Sequence, residues 1–154
     1  MDSQIIQPRI RSFQKQKALA VIEFIIALPV LLMLSVLIID VCRAFIQYTE
    51  VNKALQNGAR YALVDTYGTL DFSAIADETS IKNVVVYGKP AGGGTPVIDH
   101  IEVSDITVTQ PTAATKQVTL SATYDYVPIF SSMPFSGASL QFSIGASTTM
   151  RTGP

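Results

Sequence analysis

Between Leu19 and Ile39 the chain reads LAVIEFIIALPVLLMLSVLII, 21 residues with Glu23 as their one charge. As a helix this run is about 31 Å long at about 1.5 Å per residue, close to the hydrocarbon thickness of a bilayer. A buried core helix in a chain of 154 residues would carry a polar residue every third or fourth position. Here Phe24 to Leu34 has none, and Ser35 is the first to follow. The run predicts a membrane-spanning helix, and the flanks predict its direction. Arg9, Arg11, Lys15 and Lys17 precede it, whereas Asp40 and Arg43 after it cancel. Cations remain on the cytoplasmic side, which leaves residues 40–154 outside. A cleaved secretory signal is the competing reading. Its apolar core would be shorter and end at a small-x-small site, whereas this run continues into IIDVCRA.

Composition excludes several classes of function. Apolar types make up 48% and charged types 15% of the residues, and the mean hydropathy is +0.34. With net charge −1, the whole chain offers no basic field for nucleic acid. Residues 1–18 carry Asp2 against four cations, 4 − 1 = +3, and residues 19–154 carry 7 − 11 = −4. One cysteine, Cys42, and one histidine, His100, rule out the common structural zinc sites and an intramolecular disulfide.

Two residues inside the apolar run break its pattern. Glu23 lies one turn in from the cytoplasmic end. It either snorkels to water or meets a cation in or beside the membrane. Pro29 lacks a backbone donor, so the carbonyl of Ile25 loses its partner and a kink is expected. Beyond the run, Val41, Phe45, Tyr48, Val51, Leu55, Ala59 and Ala62 recur at helical spacing opposite Arg43, Gln47, Glu50, Asn57 and Arg60. One helix is predicted from about Leu19 to about Val64, roughly 69 Å long. Cys42 is open to two readings: a small buried side chain on that helix, or a thiol that pairs with another chain outside the cytoplasm.

The period changes after Tyr67-Gly68. VVVYG (84–88) reads as a strand, AGGGTP (91–96) as a loop, and Ser73–Thr79 as a possible short helix. Ile98, Ile101, Val103, Ile106 and Val108 alternate with an irregularity near Asp99 or Ser104. Val118, Leu120, Ala122, Tyr124 and Tyr126 alternate cleanly, as do Leu140, Phe142, Ile144 and Ala146, with a crossing loop over 127–139. Three or four antiparallel strands with one apolar face need a cover, and the amphipathic helix supplies a matching stripe. The fold class expected is α+β: a long N-terminal helix, half membrane and half amphipathic, on a small antiparallel sheet. The domains expected are a basic leader (1–18), a transmembrane helix (19–39), an amphipathic extension (40–64) and a β-rich extracytoplasmic head (65–154). No catalytic, cofactor or metal site is predicted. The glycines at 92–94 have no following Lys and helix, and Asp99 and Asp105 beside His100 come with no positioned nucleophile. Asp65, Asp71, Asp77 and Glu78 match no calcium loop.

Several short matches together resemble a TadE-like protein, a minor pilin or pseudopilin of the tight-adherence (Tad, or Flp) pilus system. They are the leader ending Lys15-Gln16-Lys17, then Ala20-Val21-Ile22-Glu23-Phe24, Ala27-Leu28-Pro29, Asp40 with Arg43-Ala44-Phe45, and Gly58-Ala59-Arg60-Tyr61-Ala62. Tyr124-Asp125-Tyr126-Val127-Pro128 and Ser147-Thr148-Thr149-Met150-Arg151 extend the resemblance more loosely. The resemblance implies a pilin-like fold and cleavage by a prepilin peptidase between Ala18 and Leu19, where Ala18 stands for the family's usual Gly. Glu23 then becomes the fifth mature residue, and Glu23, Phe24 and Pro29 serve helix packing in assembly. It implies as partners that peptidase, other pilin and pseudopilin subunits, the Tad secretion and assembly platform, and membrane lipid, with no nucleic acid and no cofactor. The place implied is the bacterial inner membrane, single-pass, and then the pilus or cell surface. The alternative is a permanently tethered extracytoplasmic adaptor; an anchored enzyme would need a catalytic cluster.

Overall fold

The computed structural model describes residues 9–66, 74–112, 114–129, 131–132, 137 and 139–153. Its elements are α1 (Arg9–Ala62), α2 (Glu78–Tyr87), a 3-10 turn (Val103–Asp105), β1 (Ile106–Thr109), β2 (Gln117–Tyr126) and β3 (Phe142–Arg151). The strands form one antiparallel sheet in the order β1-β2-β3. The architecture is α+β, as expected. The chain divides into two compact units, Met1–Asp40 and Val41–Pro154. The first consists, where described, of the N-terminal part of α1; the second holds the rest of α1, α2 and the sheet.

α1 begins earlier than the apolar pattern implied, at Arg9 rather than about Leu19, and ends at Ala62 rather than Val64. RIRSFQKQKA is polar but contains neither Gly nor Pro, and its Arg, Lys, Gln and Ala favour helix. Hydropathy marks where a helix is apolar, not where it starts.

The reading of VVVYG as a strand is wrong. Val84 to Tyr87 form the end of α2, and Gly88 caps it in the left-handed region at φ 69°, its N–H donating to Val84 O at 3.0 Å. Asp77 caps the other end by accepting from Ser80 N at 3.0 Å, and Glu78 pairs with Lys82 at 2.8 Å, one turn apart. Ile81 and Val85 share a buried face at i, i+4. Three β-branched residues in a row obscured these helix signals. The short helix expected over 73–79 overlaps α2 only at Glu78 and Thr79, and Ser73 lies outside the described residues, as does the change of period at Tyr67-Gly68.

The long strand expected around residues 98–108 contracts to Ile106–Thr109. Ile98 and Ile101 are buried, but His100 has φ 67° and Val103–Asp105 turn as a 3-10 helix. In that turn Asp105 Oδ2 accepts from Glu102 N at 2.9 Å. The clean alternation of β2 holds: Val118, Leu120, Ala122, Tyr124 and Tyr126 are all buried. In β3, Ile144 and Ala146 are buried, whereas Phe142 is half exposed and stacks on Tyr126 across the ladder, ring centroids 5.1 Å apart. Part of the loop expected over 127–139 is described, with a bridge between Ser132 and Ser139; residues 130, 133–136 and 138 lie outside the described ones.

α1 and α2 both pack on the inner sheet face. Val51, Leu55, Ala59 and Ala62 of α1 join Ile81, Val85 and Val86 of α2 and Ile106, Val118 and Leu120 of the sheet in one core. The stripe read from the sequence is buried only in this later part; Val41, Phe45 and Tyr48 are exposed. Gly58 marks the closest approach. A Cβ there would collide with Val85 Cγ2 and lie 3.0 Å from Leu120 Cδ2. Leu120 can swing its tip away, but Val85 is β-branched on a helix and has one strongly preferred rotamer. Overpacking of this kind costs about 1–3 kcal/mol, against about 1 kcal/mol gained by Ala over Gly in a helix. Gly58→Ala should therefore lower stability by up to about 2 kcal/mol, and Gly58→Leu by more. Denaturant unfolding of the detergent-solubilised protein measures it; a midpoint at or above the parent's would show that the helices separate freely.

Candidate functional site

Among its described residues, the first unit has no apolar core of its own. Leu19, Val21, Ile22, Phe24, Ile25, Ile26, Val30, Leu31, Leu32, Leu34, Ile38 and Ile39 are all exposed, Leu19 at 71% and Ile26 at 70%. Hiding one such side chain from water is worth about 1.5–3 kcal/mol, so a helix coated this way on all sides needs lipid or other helices around it. α1 is long and apolar enough to cross a bilayer. Its one hydroxyl in the apolar run is satisfied within the helix, Ser35 Oγ donating to Leu31 O at 2.9 Å.

Pro29 stays inside the helix, as expected. Glu23 lies on the row Glu23, Ile26, Ala27, Val30 and Leu31, which lines a shallow groove along α1. Small Ala27 at i+4 leaves space beside the carboxylate, so a neighbouring helix can approach there more closely than elsewhere. Phe24 is exposed next to this row. Ala18 and Leu19 are exposed and helical. Cys42 is a free, exposed thiol on α1, which removes the reading of it as a buried side chain.

The second unit has no assembled catalytic cluster among the described residues. His100 and Asp99 are exposed, while the Asp105 carboxylate is engaged in the 3-10 turn. No group of three metal-binding side chains occurs among the described residues. The glycine loop stays irregular; Asn83 Nδ2 donates to Pro90 O at 3.1 Å beside it.

One polar feature of this unit escaped the sequence. Tyr124 was legible as an inward strand residue, yet its buried hydroxyl has no hydrogen-bond partner among the described residues. Burial pushes its pKa up, and the charges of Glu50 and then Tyr126 push it the same way. Tyrosinate is thus disfavoured in the folded state. The unfolded chain loses this proton first, near 10.0, so stability present below that pH falls as pH rises through the folded value. Tyr124→Phe removes a hydroxyl that has no partner among the described residues. It should match or exceed the parent's stability by about 1 kcal/mol near neutrality and lose less above pH about 10. Unfolding curves at pH 7 and at alkaline pH check both; a clear loss in the variant at pH 7 would show that the hydroxyl is bonded after all.

No curated protein and no solved structure gives a match to the chain. One family model does match, that of the TadE-like proteins, over residues 19–60. The match begins at Leu19, takes in the whole apolar run and Glu23, and ends two residues before α1 does. Over residues 19–60, the apolar run and most of the part of α1 that follows it, the chain is similar to the TadE-like proteins.

Proposed function

We propose that the chain is a minor pilin or pseudopilin of a Tad pilus, held in the cytoplasmic membrane by α1 until it joins the assembly. The observation that carries this reading is the overlap between the TadE-like match and the exposed apolar helix. The part of the chain that resembles a pilus component is the part whose surface requires lipid or other helices. The domain plan read from the sequence enters this proposal: leader 1–18, span 19–39, amphipathic extension 40–64 and head 65–154. The leader's cations hold the N-terminus in the cytoplasm, and the head lies outside. The partners in this reading are a prepilin peptidase, other pilin subunits and the assembly platform. The exposed Cys42 just beyond the span faces an oxidising compartment, where it can pair with another subunit.

The peptidase cuts between Ala18 and Leu19. That bond lies within α1, so cleavage requires the first turns of the helix to open, and helix ends are where opening costs least. The cut produces an ammonium at Leu19, one turn from Glu23 at i, i+4. In a poorly hydrated setting the carboxylate attracts that ammonium, its own or a neighbour's, strongly enough to fix the register between packed helices.

Two measurements test this. Mass spectrometry of protein extracted from native membranes should give a chain beginning at Leu19, whereas an intact Met1 terminus would make it an unprocessed anchor. Glu23→Ala should insert as well as the parent yet fall by about tenfold or more in material sheared from the cell surface. Equal recovery of the variant would remove the role given to Glu23. Absence of the parent from sheared material would favour the tethered adaptor.

A further inference from the structure

β3 closes one side of the sheet, and the ladder reveals which of its groups point away from it. Thr152 N donates to Lys116 O at 2.9 Å, continuing the register that pairs Gln117 with Arg151 and Tyr126 with Phe142. In an antiparallel ladder, directly opposed residues that exchange bonds alternate with residues that do not. The even-numbered residues of β3 therefore bond to β2. Ser143, Gly145, Ser147, Thr149 and Arg151 turn their N–H and C=O groups outward. All five are exposed, and among the described residues no backbone group bonds to that side.

Strand edges are usually blunted by proline, charge or a bulge. β3 has none of these over most of its length. Its ten residues pair with β2 in unbroken register, it contains no proline, and Phe142 to Met150 carry no charge. A row of alternating donors and acceptors at strand spacing fits one chemistry, an extended backbone.

The edge is also self-complementary. The outward residues are centred on Ser147. In a second copy laid antiparallel, Ser147 meets its counterpart, Gly145 meets Thr149 and Ser143 meets Arg151, each pair exchanging two hydrogen bonds. The two Arg151 side chains then stand about 27 Å apart, at opposite ends of the joint. The other sheet edge does not compete. β1 has four residues, too few to match β3, and α2 packs beside it. Pairing β3 with β3 closes as a two-fold dimer rather than growing into a fibre.

We propose that β3 is a homotypic docking edge, through which two copies of this chain join their sheets with Ser147 on the two-fold axis. The proposal rests on the strand edge alone and is independent of the pilus reading.

Cysteine cross-linking of the full-length protein in membranes tests it. On a Cys42→Ser background, Ser147→Cys places two thiols on Cα atoms about 5.5 Å apart, within disulfide range. Thr123→Cys, exposed on the same sheet face but on β2, places them about 20 Å apart, three strand spacings across and four residues along the joint. With a mild oxidant, Ser147→Cys should form covalent dimer at least about fivefold more than Thr123→Cys. Equal yields from the two variants would overturn the proposal. So would cross-linking of Ser147→Cys chiefly to a different polypeptide.

Discussion

A backbone inside a bilayer finds no water to bond with, and α1 meets that constraint within a single segment. Backbone N–H groups bond to carbonyls of the same helix, the Ser35 hydroxyl does the same, and Pro29 withholds one donor without ending the helix. The side chains outside are apolar in every direction. Such a helix has no preferred face of its own apart from the row that carries Glu23. A charge in that setting is poorly solvated, so it acts as the one strong directional element on an otherwise uniform cylinder.

The same helix takes on a different task further along. From Val51 onward it buries one face against α2 and the sheet, and small residues do the spacing. Ala54, Gly58, Ala59 and Ala62 lower the helix surface so that Val85 and Leu120 reach its backbone. The core of the second unit consists chiefly of aliphatic side chains from α1, α2 and the sheet. Where a polar group enters that core, as at Tyr124, the hydroxyl has no partner among the described residues and feels the charge of Glu50 on α1. At the start of this unit, Val41, Phe45 and Tyr48 are exposed, like the apolar side chains of the run that ends at Ile39.

The elements differ in how legible they were. β2 was readable residue by residue because strict alternation has no helical equivalent, and its inward set matches the buried set. β3 was readable in its middle, at Ile144 and Ala146, and less so at Phe142, whose partner is an aromatic ring rather than the core. α2 was misread because Val84, Val85 and Val86 favour strands, while the signals for helix were spread thinly over Asp77, Glu78, Lys82 and Gly88. The 3-10 turn at Val103–Asp105 depends on a reciprocal contact between Glu102 and Asp105, which apolar spacing does not register.

What the sequence determined by itself is what a local property decides: a 21-residue apolar run, its flanking charges, the helical stripe after it and the alternation of β2. Each follows from transfer free energy and chain period, which need no knowledge of distant residues. Tertiary structure alone decided which part of the stripe is covered, since burial of Val51 but not Phe45 depends on how far α2 and the sheet reach along the helix. It also decided that Val84–Tyr87 join a helix, and that β3 rather than β1 is the long open edge. Strand order and packing distance join residues far apart in the chain, and such contacts leave no periodic trace in either segment.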